Sequence, residues 1–257
     1  MPDGPSVPIR VVVLTRKGRC ASARIAIDSL LKARLPVLAV VGEPWQNLVF
    51  AKGPVQGLLN QASRHGWAAI LKRAWAQVLG GASSESLSSF CSSRGIAYHQ
   101  VADHNSPECA RILGGLRPDI LLAANTRILK PDILTIPRVT GLNIHKSLLP
   151  RYAGLESIFW ALYHGEKEVG VTIHRLDPEL DTGDILGQTP IAVGPDDDPE
   201  SLDGKADAEA GRLLAKIVAG LQAGAIVGTP QDRSQRTCFS WPTAAQRLEL
   251  KERLSRR

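Results

Sequence analysis

Between Gly141 and Gly154 the chain reads GLNIHKSLLPRYAG. An apolar run there carries Asn143 and His145, two residues apart and so on one side of an extended segment. An amide and an imidazole at a strand's end set a hydrogen-bond donor beside a proton carrier, which suits chemistry at a carbonyl. An ordinary strand exit, with a turn-loving Asn and a core His, would show the same residues. A loop acid, Asp181, follows His145 after 36 residues, past a helix and a strand. In an alternating fold both reach one end of the sheet, where such folds keep their sites. Three roles are then filled: Asn143 as oxyanion donor, His145 as proton carrier, Asp181 as the group that orients or charges the imidazole. A plain turn carboxylate in LDTGD is the other reading of Asp181.

The flanking sequence supplies the elements that would hold these residues. IRVVVL, residues 9–14, is the largely β-branched run expected of a strand covered on both faces. ARIAIDSLLKARL follows with Ile27, Leu30 and Leu31 at helical spacing, and Pro36 ends that helix before VLAVVG. Strand, helix and strand in about 35 residues predict a right-handed βαβ unit. The first loop, TRKGRCAS, lacks a GxGxxG dinucleotide fingerprint but places Thr15 and Arg16 at the carboxyl end of a parallel strand. Trp67, Ile70, Leu71, Ala74, Trp75 and Val78 predict an amphipathic basic helix, suited to covering the sheet, meeting an anionic partner or forming a dimer. Residues 80–89, rich in Gly and Ser, predict a loop, and a helix leads from Ser86 to GIAYHQV. RPDILLAAN predicts a further buried strand, and TRILKPDILTIP a turn and short helix. LESIFWALYHGEKEVG predicts a helix, while GVTIHRL and ILGQTPIAV predict an antiparallel hairpin. PDDDPES opens a helix with acids where its dipole favours them. The whole reads as an α/β, three-layer Rossmann-like fold with a mostly parallel, mixed sheet. We take residues 1–224 as one catalytic domain, with a helical insertion at about 45–85, and 225–257 as a short carboxyl-terminal extension.

Composition narrows the class. At 257 residues, 44% hydrophobic and 22% charged, the chain reads as soluble and globular. No apolar run approaches the roughly 20 residues of a membrane span. The start, MPDGPSVPIR, lacks the charged and apolar regions of an export signal. Cys20, Cys91, Cys109 and Cys238 lie far apart without CxxC pairing, as expected of reduced thiols rather than a zinc knuckle. A cytoplasmic protein is expected. The net charge of +6 is uneven: residues 1–80 hold eleven Lys/Arg against three acids, residues 141–210 five against fourteen. A basic amino-terminal third fits an anionic substrate or RNA, and equally a solvated surface.

Three stretches together resemble the folate-dependent formyltransferase family, which includes methionyl-tRNA, glycinamide ribonucleotide and amino-sugar formyltransferases. They are Arg127-Ile128-Leu129 in NTRILKPDIL, the NIHKSLLPRYAG segment, and GVTIH followed by LDTGDIL. The resemblance implies the fold above and transfer of a formyl group from 10-formyltetrahydrofolate to an amine, with no metal. It puts catalysis on Asn143, His145 and Asp181. It sets the pterin against the backbone of Arg127, Ile128 and Leu129 and of Asp177, Pro178, Glu179 and Leu180. It gives the substrate side to Lys146, Ser147, Tyr152, Thr172 and His174, which Thr15 and Arg16 join by their place at the carboxyl end of the first strand. The family usually has Pro after its catalytic His, and this chain has Lys146. The first loop lacks the Gly/Ser/Asn pattern by which the purine enzyme holds a ribose phosphate. The tRNA enzyme carries a barrel domain where about 60 residues follow the core here.

The expected acceptor is therefore a small-molecule biosynthetic amine, such as an amino sugar on a nucleotide or an amino-acid-like amine. The basic first loop leans toward a phosphorylated one. Formylation of aminoacyl-tRNA, hydrolysis of formyl-folate and non-catalytic folate binding are the alternatives. A homodimer is compatible with the sequence, and no membrane contact is expected.

Overall fold

The computed structural model describes residues 9–16, 20–44 and 85–256. The helix expected over Trp67–Val78, the insertion at about 45–85 for all but its last residue, and the first-loop residues 17–19 lie outside them.

Strand β1, Val11–Thr15, is buried at every position and sits mid-sheet. It pairs in parallel with β2, Val37–Gly42, on one side and β4, Ile120–Ala123, on the other. Beyond β2 lies β3, Ala97–Gln100, and beyond β4 lies β5, Thr140–His145, both parallel to their neighbours. β7, Glu168–Arg175, and β8, Ile185–Ala192, continue the sheet as an antiparallel pair, giving the order β3-β2-β1-β4-β5-β7-β8. Seven strands, mostly parallel, with helices on both faces confirm the three-layer class.

Alternation along β1 divides the core. Val11 and Val13 join the cluster under α1, Ala21–Lys32, and the long helix α6, Pro199–Gln222. Val12 and Leu14 join the opposite cluster with Cys109 and Leu113 of α3, Pro107–Leu116, and Ile133 of α4, Pro131–Leu134. A strand buried on both faces needs no polar alternation, hence the unbroken β-branched run.

Helix starts follow local chemistry. Ser86 accepts from Ser89 N–H to begin α2, Leu87–Ser92, so part of the expected Gly/Ser loop is helical. Asp198 and Ser201 form a reciprocal cap at α6, with Pro199 at its first position. The helix expected over LESIFWALYHGEKEVG is shorter: α5 spans Ser157–Tyr163. Gly165, at φ +78°, turns the chain, and Glu168 onward pairs with β8 instead.

The carboxyl-terminal residues fold back. Cys238–Phe239, strand β9, pairs in parallel with β6, Ala153–Gly154. The chain then ends in α7, Ala244–Leu254, capped by Thr243 and Gln246.

Candidate active site

β1 and β4 are neighbours in the sheet although the chain leaves β1 toward β2, so the topology reverses between them. Crevices at the carboxyl ends of such strands are where α/β sheets bind ligands. β5, one strand further, ends at that same edge with Asn143 and His145 on one face. β7 runs opposite, placing His174 across from Asn143 and Thr172 across from His145. Directly opposed residues of an antiparallel pair share a face, so register alone assembles an amide and two imidazoles.

Asp181 completes the group from the loop after β7. Its Oδ2 lies 3.6 Å from His145 Nδ1 and accepts from Gly154 N–H at 2.9 Å. Its Oδ1 lies 3.6 Å from His174 Nε2 and accepts from Asn143 Nδ2 at 3.3 Å. His145, His174 and Asp181 are all buried.

The partners fix the protons. His145 Nε2 faces the Tyr152 carbonyl at 2.8 Å and must carry a hydrogen, leaving Nδ1 toward the carboxylate. His174 Nδ1 donates to the Arg175 carbonyl at 2.8 Å, so its Nε2 accepts from Asn143 Nδ2 at 3.0 Å. The Asn143 amide therefore spends one hydrogen on His174 and the other, over a longer distance, on Asp181.

Burial pushes the His145 imidazole below its ordinary value, against the pull of Asp181 and the Tyr152 carbonyl. Burial acts to raise the Asp181 carboxyl. The charge His145 takes up in acid, the neighbouring His174 ring and the Gly154 N–H outweigh it and hold the carboxyl at about 2. A base kept neutral at neutral pH beside a carboxylate kept ionised can take up one proton during a reaction.

Both shifts have the same sign in stability. A depressed carboxyl contributes fully above its unfolded value of about 3.9 and loses that contribution as pH falls toward 2. A depressed imidazole likewise favours the fold only above about 6.5. Asp181→Asn should thus flatten the acid limb. The stability gap between wild type and variant should shrink by about 2 kcal/mol from pH 5 to pH 2, as urea titrations would read. A constant gap would show that the carboxylate does not titrate as described.

A second cluster holds the Arg127 turn. Glu43, 2% exposed just after β2, accepts from Arg127 Nε at 3.0 Å and also from Arg127 Nη2. Glu43 also accepts the His104 N–H at 3.2 Å and faces the His104 ring and Arg16 Nε at 3.3 and 3.7 Å. Arg127 Nη1 reaches Asp103 at 2.9 Å. The hydrogen bond to Glu43 raises the Arg127 guanidinium, whereas burial lowers Arg16 and His104. Asn105 clasps the turn, donating to the Ile128 carbonyl and accepting from Lys130 N–H at 3.0 and 2.7 Å. Leu129 is buried while Ile128 stays 56% exposed.

Several residues expected on the substrate side are engaged inside the protein. Arg16 faces Glu43, although its Nη2 and the Thr15 hydroxyl have no hydrogen-bond partner among the described residues. The Thr172 hydroxyl donates to the Ser147 carbonyl and accepts from Leu149 N–H. Ser147 Oγ donates to the Arg151 carbonyl at 2.9 Å, and Tyr152 Oη donates to Glu166 at 2.8 Å. Lys146 points to α6, with Nζ 2.7 Å from Asp203 and 2.8 Å from the buried Asp207. Lys146→Met strands Asp207 without its cation and should cost about 1–3 kcal/mol of stability, read by chemical denaturation. An unchanged midpoint would remove that tether.

In the other loop, Asp177 Oδ1 accepts from Glu179 N–H and Thr182 Oγ1 at 2.9 and 3.2 Å, shaping residues 177–182 and leaving Leu180 37% exposed. Glu43, Asp103, His104 and Asn105 escaped the sequence reading because no motif joins them. They sit at strand ends that only the fold brings together. Among the described residues no cluster of His, Cys, Asp and Glu could hold a metal ion, and no helix is long and apolar enough to cross a membrane.

A family model described as formyl transferase matches residues 56–218. The chain belongs to the formyl transferase family. Among relatives of this formyl transferase chain is the methionyl-tRNA formyltransferase of Anaeromyxobacter dehalogenans strain 2CP-1, 35% identical over 221 residues, covering 86% of this chain and 62% of that protein. The methionyl-tRNA formyltransferase of Anaeromyxobacter sp. strain K is 41% identical over 145 residues, 56% of this chain and 46% of that one. The chain thus spans under two thirds of the length of these curated relatives. Glycinamide ribonucleotide transformylase 1 of Symbiobacterium toebii shares the fold, with TM-score 0.62, 22% identity, and coverage of 88% of this chain and 95% of that one. So does the N-formyltransferase of Helicobacter canadensis, described in complex with folinic acid and dTDP-3-aminofucose. Its TM-score is 0.57 at 17% identity, covering 91% of this chain and 71% of that one.

Proposed function

We propose that this protein transfers a formyl group from 10-formyltetrahydrofolate to the amine of a small biosynthetic acceptor, an amino sugar nucleotide or an amino-acid-like amine. The observation that carries the reading is the convergence of Asn143, His145, His174 and Asp181 at one sheet edge. The donor brings an activated formyl carbon. The exposed Ile128 and Leu180 fit it, because each leaves apolar surface in solvent on a loop fixed by internal hydrogen bonds. We assign the pterin to the backbone of Arg127 to Leu129 and Asp177 to Leu180.

An unprotonated amine attacks the formyl carbon and the carbonyl oxygen becomes an oxyanion. Asn143 donates to it by giving up its longer bond, the one to Asp181. A donor of this kind is worth about 3–4 kcal/mol of barrier. Neutral His145 takes up the amine proton, its imidazolium stabilised by Asp181. The proton then passes to the folate nitrogen as the carbon–nitrogen bond to the donor breaks.

Incubation with 10-formyltetrahydrofolate and a panel of amines tests the proposal: the folate should lose its formyl group only when an acceptor is present. Formate release without acceptor would turn the assignment to hydrolysis, and folate binding without turnover to a binding module. A second reading, formylation of an aminoacyl-tRNA, draws on the 35% identical relative of that name. It predicts binding to tRNA that weakens steeply as salt rises, through counterion release.

A further inference from the structure

Asp181 does the work of the site from an awkward backbone position. Its φ is +55°, in the left-handed region that most residues with a side chain avoid and that Asp tolerates better than most. Such a conformation persists where surrounding structure over-determines it. The turn that follows packs closely against β7, since a Cβ on Gly183 would lie 2.0 Å from the Arg175 carbonyl oxygen.

What fixes the loop comes from the carboxyl-terminal extension. Gln231 Nε2 donates to the Asp181 carbonyl at 2.9 Å and to the Gly183 carbonyl at 2.7 Å. Arg236 Nη2 donates to the Leu180 carbonyl at 2.9 Å. The same segment holds the other wall: Thr237 Oγ1 accepts from Tyr152 N–H at 2.8 Å, and β9 pairs with β6. Tyr152 is the residue whose carbonyl receives His145 Nε2, and Gly154, in β6, gives its N–H to Asp181. Gly154 is at φ +91° with Phe239 O only 2.2 Å from where a Cβ would stand, so the strap lies against the site's backbone.

We propose that residues 231–239 are a positioning strap for the site, in which Gln231, through two donated hydrogen bonds, holds Asp181 in the left-handed conformation that aims its carboxylate at His145. Gln231 is a positioning residue and touches none of the reacting atoms. Both of its amide hydrogens are used, so only a two-donor side chain of this length fits. Glu would turn an acceptor toward two carbonyl oxygens. The inference rests on the proposed function for its meaning, but its geometry is read without any substrate.

The test is an NMR titration of the His145 imidazole in the free 257-residue chain, assigned with His145→Gln. The charged or titratable groups set against His145 are Asp181 and His174, the latter with its ring centroid 6.4 Å away. Asp181→Asn removes the carboxylate and sets the lower end of the scale, since an opposite charge favours imidazolium. Gln231→Leu and Gln231→Ala, which add no charge, should both lower the His145 midpoint toward that of Asp181→Asn, by at least about half a pH unit. A wild-type midpoint in either folded Gln231 variant would overturn the proposal. So would loss of folding in both, which would make Gln231 part of the framework rather than a positioning group. Absence of formyl transfer in the wild type, with the midpoint shift intact, would defeat the proposed function and leave the strap standing.

Discussion

Asn143→Ala should lower formyl transfer by about 100- to 1,000-fold, and His145→Ala by a comparable factor. Asn143 is half-buried and bonded to His174 and Asp181, so its removal frees two side chains that stay buried in the fold. Each is left with one partner fewer, so a stability loss of about 1–3 kcal/mol should accompany the loss of turnover. His145 sits between the Tyr152 carbonyl and Asp181, and no other described group bridges those two. Because the three act as one unit, the double variant should lose much less than the product of the single losses. Turnover at saturating donor, with thermal melts run in parallel, checks both statements. Near-normal transfer in either single variant would remove the catalytic assignment.

Glu43→Ala should unfold the protein more readily by about 3–5 kcal/mol. For a chain of this size that corresponds to a drop in Tm on the order of 10 °C. Among the described residues Glu43 is the only acid buried in the cluster of Arg16, His104 and Arg127, and its loss leaves guanidinium charge without compensation beneath the Arg127 turn. Asp103 is too exposed to replace it. The effect should reach the site as well, since Ile128 and Leu129 follow the turn that Arg127 anchors. Glu43→Gln should recover part of the loss by keeping one acceptor. A melting temperature within 1–2 °C of wild type for the Ala variant would mean the cluster carries little of the fold.

The parts of the architecture legible in sequence were those written in short-range pattern. β1 could be read because a strand covered on both faces leaves a run of branched apolar residues. The Asn143 and His145 pair could be read because a two-residue spacing sets both on one face. Other features depend on partners far along the chain. Lys146 was expected beside substrate, yet its charge lies against Asp203 and Asp207, some 60 residues later on a helix that only folding brings near. His174 is expected on the substrate side, and the cross-strand register that also makes it the acceptor for Asn143 has no mark in the sequence. The α5 boundary was missed because helical periodicity in WALYHG gives no sign of the β7 pairing that takes over at Glu168. The tail reads only as a short extension because Gln231 and Thr237 have no periodicity. Their importance comes from which carbonyl and amide they meet.

The central claim is that the Asn143, His145 and Asp181 constellation moves a formyl group to an amine. The direct measurement is mass spectrometry of an amine panel, which includes amino sugar nucleotides and amino acids, after incubation with 10-formyltetrahydrofolate and either wild-type or Asn143→Ala protein. One acceptor class should gain a single formyl group with wild type, and at most about one hundredth as fast with the variant. Equal formylation by both proteins, or none of any acceptor by the wild type while folate still binds, would contradict the claim.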